Sequence, residues 1–96
     1  MRPSLVLNER REAVRAAFGR YPVANPRVFG SVLRGEDTDD SDVDFLVDAL
    51  PGCSLFDLGG LYSELEDLLG TRIDLVLTTE LPNRIRARIL AEAEAL

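Results

Sequence analysis

The sequence feature that most constrains the fold is the segment Phe29–Val47, which reads FGSVLRGEDTDDSDVDFLV. A Gly-Ser pair comes first, an acidic loop follows, and two aspartates one residue apart lead into an apolar run. Because side chains alternate along a β-strand, a strand over Asp42–Val47 places Asp42 and Asp44 on one face. Its far end is apolar on both faces, which is typical of a central, covered strand.

Helical and strand patterns alternate along the rest of the chain, in the predicted order α-β-(turn)-β-α-β-α. The predicted elements are a helix Ser4–Arg20 capped by Ser4, a strand Arg27–Phe29 after an Asn25-Pro26 turn, the strand Asp42–Val47, a leucine-rich helix from Ser54 to Gly70, a strand Arg72–Leu77, and a last helix capped by Thr78 or Thr79. Inside the leucine-rich helix, Gly59-Gly60 indicates a closely packed neighbour or a bend, since each glycine costs about 1 kcal/mol relative to alanine.

The length of the chain and the distribution of its apolar residues limit the class of protein. A chain of 96 residues predicts a single domain over 1–96. No apolar run approaches the ~20 residues of a membrane span, and the N-terminus lacks a signal-peptide pattern, so a cytoplasmic location without membrane association is expected. Exposed apolar patches cannot be read from sequence, which leaves both homo- and hetero-oligomers open.

Composition excludes several chemistries. The chain has no histidine, and all 11 of its basic residues are arginine, which rules out histidine-based catalysis, Schiff-base lysines and a Walker-type phosphate lysine. Cys53 is the one cysteine, so no internal disulfide can form. With a net charge of −6 and no basic cluster beyond Arg84, Arg86 and Arg88, direct nucleic-acid binding is not expected. Those three arginines are expected on a solvated face.

The pair Asp42 and Asp44 points to a metal site. Two like charges close together on a partly buried face raise each other's pKa and cost free energy, and a divalent cation between them reverses that effect. Mg²⁺ suits such a pair because it takes one or two carboxylates together with phosphate oxygens. The alternative is a solvated pair at the entrance of the strand. The acidic loop Glu36–Asp40 is expected to be a solvated, mobile rim rather than a ligand set.

Asp74 interrupts the apolar run Ile73–Leu77, where a lone aspartate is unfavourable without a partner. One interpretation is an ion pair with Arg72 on the same strand face. The other is that this strand lies beside the strand of Asp42 and Asp44, so that Asp74 completes a three-carboxylate site. Such a site can hold two metal ions about 3.5–4 Å apart for phosphoryl chemistry.

Gly30-Ser31 follows a strand and opens a predicted helical turn. Free backbone N–H groups at such a point attract anions, and glycine permits a close approach. The serine hydroxyl can donate to a phosphate oxygen. A plain turn is the alternative, but the nearby carboxylates favour the triphosphate end of a nucleotide site.

Taken together, Gly30-Ser31, ten intervening residues, Asp42-Val43-Asp44, and Asp74 after a helix resemble the nucleotidyltransferase superfamily that includes DNA polymerase β. With Arg34-Gly35 after the Gly-Ser pair and Ser41 before the aspartates, the chain is similar to the short minimal nucleotidyltransferases, the MNT proteins. The resemblance implies an α/β (α+β) nucleotidyltransferase fold, a small mixed β-sheet flanked by helices.

The resemblance also implies residue roles and cofactors. ATP would bind with Mg²⁺ at a two-metal site, and a nucleoside monophosphate would pass to an acceptor hydroxyl. The implied catalytic and metal-binding residues are Asp42, Asp44 and Asp74, and the implied nucleotide-binding residues are Gly30, Ser31 and Arg34. For Arg34, a contact with phosphate or partner stands against a solvated arginine.

Short MNT proteins are typically antitoxins that transfer AMP to a tyrosine of a HEPN-domain ribonuclease toxin. Larger family members carry an added acceptor domain, so we expect this chain to obtain its acceptor from another molecule. An acidic antitoxin also suits a basic, RNA-cutting partner. The alternatives are a non-catalytic antitoxin that neutralises the toxin by direct contact, and a nucleotidyltransferase acting on a small molecule or an RNA end.

Overall fold

A four-stranded mixed β-sheet forms the centre of the computed structural model, which describes all 96 residues. Its strands are β1 Val23–Phe29, β2 Val43–Ala49, β3 Ile73–Leu77 and β4 Glu94–Ala95. The strand order is β3-β2-β1-β4. β2 and β3 are parallel, while β1 is antiparallel to both β2 and β4. This mixed sheet, with helices on both sides, confirms the predicted fold class.

Five helices surround the sheet: α1 Pro3–Glu9, α2 Arg11–Phe18, α3 Gly30–Arg34, α4 Leu55–Leu69 and α5 Asn83–Glu92. A single 3-10 turn, Thr78–Glu80, joins β3 to the segment before α5. The Ser54 cap and the Gly70 end of α4 are confirmed, with Ser54 and Asp57 forming a capping box. None of the helices has both the length and the apolar character needed to cross a membrane.

The alternation of side chains along β2 gives the sheet two apolar faces. Val43, Phe45 and Val47 are fully buried in the larger cluster, together with residues of α2 and α4. There the rings of Phe18 and Phe45 meet edge to face, with centroids 5.3 Å apart. Leu46 points to the opposite face, where it packs against residues on and before α5. β2 is therefore the covered, central strand that its sequence predicts.

The predicted first helix, Ser4–Arg20, is wrong in its continuity and in its cap. It breaks at Arg10, whose backbone (φ −110°, ψ 16°) is not helical. Leu7 of α1 and Val14 of α2 are both buried in the larger core cluster. Ser4 is not the cap, because α1 begins at Pro3 and the Ser4 backbone N–H donates to Asp37 Oδ2 at 2.8 Å.

That hydrogen bond also corrects the prediction of a solvated acidic rim at one residue, Asp37, whereas Glu36, Asp39 and Asp40 are exposed as expected. The Asp37 side chain is 0% exposed and accepts a 2.9 Å ion-pair contact from Arg2 Nη2. Burial raises the pKa of Asp37, but hydrogen bonds from Ser4 and Arg2 outweigh it and leave the pKa below its usual value. The N-terminus of α1 has no side-chain cap of its own, so Asp37 supplies one across the chain and anchors the loop.

The C-terminal segment also departs from the prediction. The last helix begins after Pro82, because Thr78–Glu80 forms a 3-10 turn in which Glu80 accepts from the Leu77 backbone N–H. It ends at Glu92, and β4 then pairs with β1, with Arg27 opposite Ala95. This pairing satisfies backbone groups of β1 that would otherwise form an open sheet edge.

The structure also accounts for the Asn25-Pro26 pair and for the two glycines in α4. Asn25-Pro26 is not a turn between elements but a register shift inside β1, where Asn25 has a φ of 55°. In α4, a Cβ on Gly60 would lie 3.2 Å from Tyr21 Cε1, whereas one on Gly59 would meet nothing within 4 Å. Of the two interpretations for the glycine pair, close packing therefore accounts for Gly60.

Candidate active site

The parallel pairing of β2 and β3 sets Asp44 directly opposite Asp74 in register. Neighbouring residues in register point to the same side of a sheet, and here that side also carries Leu46 and Val76. Asp44 is half-buried and Asp74 is exposed. The predicted adjacency of the two aspartate-bearing strands is confirmed, and it brings two carboxylates to the face that α5 covers.

Asp42 lies one residue before β2 and pairs with Arg72, the residue considered above as a partner for Asp74. Arg72 Nε lies 3.2 Å from Asp42 Oδ1, with the two side chains 74% and 45% exposed. Arg72 also donates to the Asp40 carbonyl. The alternative of an Arg72–Asp74 ion pair is therefore wrong, because Arg72 reaches across to the neighbouring strand and neutralises Asp42 instead.

Asp44 has the most perturbed carboxyl group of the site. Burial, followed by the charges of Asp74 and Asp42, raises its pKa to about 6, while the charge of Arg34 opposes the shift and that of Glu92 adds to it. The negative potential at this point therefore exceeds what the nearby arginine neutralises. A cation bound here would remove the penalty for ionising Asp44.

Gly30 is the residue against which the Asp44 carboxylate lies. Its φ is +77°, a conformation that disfavours other residues, and a Cβ built on it would lie 2.2 Å from Asp44 Oδ2. No other residue fits without displacing the carboxylate. Gly30 therefore joins the first turn of α3 to the carboxylate pair, and the half-buried Ser31 follows it directly.

A fourth acidic residue, Glu92 of α5, contacts the same turn. Glu92 Oε1 accepts from the Gly30 backbone N–H at 3.3 Å and from Arg34 Nη1 at 2.6 Å. Arg34 Nε also donates to Glu36 Oε2 at 3.2 Å. Arg34 therefore lies at the site in contact with acidic partners. Its side chain is 46% exposed, as the interpretation of a solvated arginine expects, and its role toward phosphate stays a prediction.

The sequence interpretation missed Glu92, although a signal for it exists. Ile85 and Ile89 lie on the inner face of α5, and Glu92 follows Ile89 by three residues, which places it on that face one turn later. The prediction of the last helix assigned no role to Glu92. A carboxylate at the end of an apolar stripe was the available clue.

An open pocket of about 400 Å³ lies between α3 and α5. Its lining residues are Phe29, Gly30, Arg34, Arg88, Ile89 and Glu92. The prediction of a solvated arginine face is confirmed for Arg84 and Arg88, which are exposed, and is wrong for Arg86. Arg86 is half-buried and donates to the carbonyls of Thr78 and Leu81, Arg88 lines the pocket, and Arg84 is exposed. The pocket is lined by two apolar side chains, Phe29 and Ile89, by two arginines and by the Glu92 carboxylate.

The carboxylates of the site are suitable ligands for Mg²⁺, although they do not converge into a complete coordination shell. No group of three or more acidic or cysteine side chains converges closely enough to enclose a metal ion. Mg²⁺ does not need such a group, because it commonly takes one or two protein carboxylates and completes its shell with water and phosphate oxygens. The in-register pair Asp44–Asp74, in which the pKa of Asp44 is raised, fits that requirement.

A model of the polymerase β nucleotidyltransferase family matches residues 14–96. The chain belongs to this family. The resemblance inferred from the Gly-Ser pair and the aspartates is thereby confirmed, and the chain is a nucleotidyltransferase. Its family assignment agrees with a site that sets carboxylates beside a glycine-opened turn.

Relatives of this nucleotidyltransferase extend over most of its length. Protein adenylyltransferase MntA of Thermococcus cleftensis is 41% identical over 87 residues, which is 91% of this chain and 85% of MntA. Methanocaldococcus jannaschii has a relative that is also named a protein adenylyltransferase. It is 34% identical over 91% of this chain and 94% of its own length.

Two solved structures share the fold of this nucleotidyltransferase. One is described as a minimal nucleotidyltransferase. It has a TM-score of 0.88 and 44% sequence identity, and the match covers 97% of this chain and 95% of the other chain. The other comes from a toxin–antitoxin crystal structure with AMP-PNP. It has a TM-score of 0.74 over 88% of this chain and 69% of its own, and at 17% identity it supports the fold alone.

Proposed function

We propose that this nucleotidyltransferase is an antitoxin that transfers AMP from ATP to a tyrosine hydroxyl of a HEPN-type ribonuclease toxin and so neutralises it. The observation that carries the proposal is the in-register pair Asp44–Asp74 beside the Gly30 backbone. The relative MntA, named a protein adenylyltransferase, supports protein as the acceptor class. A toxin–antitoxin neighbour of the same fold is consistent with a toxin partner.

The carboxylates have distinct roles in this proposal. Asp42 and Asp44 would hold Mg²⁺ at a two-metal site, and Asp74 would share the catalytic metal. When bound, Mg²⁺ supplies Lewis-acid stabilisation of the charge that develops on the transferred phosphoryl group. Asp74 is exposed, so it is accessible to an acceptor hydroxyl from a second molecule and would take its proton.

The turn at Gly30 would hold the other end of the nucleotide. The Gly30 N–H and the Ser31 hydroxyl would donate to β- and γ-phosphate oxygens, and the Arg34 guanidinium would add charge-assisted hydrogen bonds. In the transfer, the acceptor oxygen forms a bond to the α-phosphorus and the bond to the bridging oxygen of the β-phosphate breaks. Pyrophosphate leaves with the electron pair, and the acceptor proton passes to the carboxylate.

The charge of the chain fits such a partner. A net charge of −6 disfavours direct contact with nucleic acid and complements a basic, RNA-cutting protein. In this proposal the chain works as a single domain over 1–96, in a hetero-oligomer with the toxin, and in the cytoplasm, where ATP is available.

The test is transfer of labelled AMP from ATP to the candidate toxin in the presence of Mg²⁺. The Asp42→Asn/Asp44→Asn double variant is expected to transfer no label. Asp67→Asn, the same chemical change at an exposed position of α4, is expected to retain wild-type transfer. Mass spectrometry of the toxin should locate one or more AMP groups on tyrosine.

The same experiment separates the rival functions. Label transfer that survives in the double variant contradicts the site assignment. Toxin suppression that survives in it without transfer indicates neutralisation by direct contact. Product formation on small molecules or RNA ends without a protein partner would identify a different acceptor class.

A further inference from the structure

The Glu92 carboxylate occupies the anion-binding groups of the candidate site. One of its oxygens accepts both the Gly30 N–H and an Arg34 N–H, at 3.3 and 2.6 Å. Its side chain is 24% exposed, compared with 46% for Arg34. The two donors are thus satisfied by a carboxylate from a different element, 58 residues away from Arg34 in sequence.

A phosphate oxygen and a carboxylate oxygen accept these donors in the same way. A phosphate that binds the Gly30 N–H therefore competes with Glu92 for it. The Glu92 carboxylate and a bound phosphate would both lie at the Gly30 side of the pocket between α3 and α5, which has a volume of about 400 Å³. Because both groups are negatively charged, they repel each other at this short distance. The backbone N–H of Gly30 is a single donor, so Glu92 cannot keep this contact while a phosphate oxygen accepts from Gly30.

We propose that Glu92 sets the nucleotide affinity of this enzyme by acting as an internal competitor for the phosphate-binding donors Gly30 and Arg34. The inference rests on the proposed function, since it takes these donors to be nucleotide ligands. Without nucleotide, Glu92 satisfies the Gly30 amide and neutralises Arg34. When ATP binds, its phosphate oxygens take both donors and the Glu92 side chain turns away.

The position of Glu92 allows this exchange at low cost. It is the final residue of α5, and the next residue, Ala93, already has an extended backbone (ψ 138°). The packing of α5 depends on Ile85 and Ile89, which remain in place when the Glu92 side chain rotates. Arg34 retains a second acidic partner, Glu36, at 3.2 Å. Removing the Glu92 charge should therefore leave the fold intact.

The experiment measures binding rather than turnover. Calorimetric titrations with Mg²⁺·AMP-PNP and with Mg²⁺·pyrophosphate are compared for the wild type, Glu92→Gln and Glu92→Ala. Glu94→Gln is the matched control, because it removes the same charge from an exposed position two residues later. Thermal denaturation of each variant shows that it is folded.

Internal competition predicts that both Glu92 variants bind both probes more tightly, by roughly fivefold or more, as expected for removal of one repulsive charge at a partly exposed site. The Glu94 control should stay within about twofold of the wild type. Pyrophosphate should show the same gain as AMP-PNP, because the competition concerns phosphate groups alone.

Weaker binding by the Glu92 variants would overturn the inference and indicate that Glu92 instead orients Arg34 toward phosphate. Unchanged binding would overturn it as well. In both cases a wild type that binds AMP-PNP leaves the proposed function standing. If neither the wild type nor the folded variants bind either probe, the inference and the proposed function fail together.

Discussion

The Asp44 carboxylate fills the space that a Cβ atom would occupy on Gly30, with Oδ2 only 2.2 Å from the ideal Cβ position. The two residues come from different elements, so this contact fixes the first turn of α3 against β2. It explains why the small residue of the Gly-Ser pair and the second aspartate of the Asp-x-Asp pair belong to one site.

Gly30→Ala is expected to abolish most AMP transfer, because the added methyl group must displace the Asp44 carboxylate. Alanine at a φ of +77° also costs about 1 kcal/mol of stability. Gly35→Ala is the matched control, since Gly35 has a φ of +72° but no atom within 4 Å of its ideal Cβ. In urea denaturation Gly35→Ala should lose about this much stability and Gly30→Ala at least as much, and only Gly30→Ala should lose transfer. Equal transfer by the two variants would contradict the contact.

The raised pKa of Asp44 predicts a pH-dependent loss of stability in metal-free protein. In the unfolded chain the carboxyl ionises near pH ~4, whereas in the folded chain its pKa is about 6. Between these values the folded state binds more protons, so stability falls as pH rises through this window and then levels off. Because Asp44 is only half-buried, solvent screening limits the total loss to about 1–2 kcal/mol.

Asp44→Asn removes this ionisation and should therefore be more stable than the wild type above pH ~6 in EDTA, with the difference shrinking toward pH ~4. Urea denaturation of the two proteins across this range isolates the contribution of the one carboxyl group. A constant difference between the two curves would show that Asp44 titrates normally.

Asp37→Asn is expected to destabilise the protein by about 2 kcal/mol at pH 7, since it weakens two hydrogen bonds to a buried charge. The pKa of Asp37 is lower in the folded protein than in the unfolded chain. Its ionised carboxylate therefore stabilises the fold at pH values above the unfolded pKa, and this stabilisation is lost as the pH falls through the folded pKa. Asp40→Asn, an exposed change in the same loop, is the control and should have little effect. Equal urea midpoints for the two variants would contradict the capping role of Asp37.

The glycine pair in α4 should respond unequally to alanine. Gly59→Ala gains helix propensity without meeting any atom within 4 Å, so it should stabilise the protein by about 0.5–1 kcal/mol. Gly60→Ala places a methyl group 3.2 Å from Tyr21 Cε1, and Tyr21 also donates to Glu64 at 2.9 Å. The second substitution should therefore yield a smaller gain or a loss of melting temperature. A greater gain for Gly60→Ala would mean that Tyr21 moves freely.

Local patterns predicted the parts of the site that lie on regular strands. Alternation in β2 was enough to place Asp44 on the same face as Leu46, because strand geometry fixes side-chain direction. The sequence left two interpretations for Asp74, and the parallel pairing of β3 with β2 decided between them. Contacts that join distant segments could not be read in this way. The pairings of Asp37 with α1, of Arg72 with Asp42 and of Glu92 with Gly30 each depend on how elements pack, and no local propensity encodes that.

The central claim is that the carboxylate set around Asp44 and Asp74 performs the transfer. Single-turnover transfer of labelled AMP to the toxin by Asp74→Asn tests it most directly, with AMP-PNP binding measured in parallel. We expect the transfer rate to fall by roughly a hundredfold or more, as for loss of a general base, while nucleotide affinity changes only a few-fold. Transfer at the wild-type rate by Asp74→Asn would contradict the account.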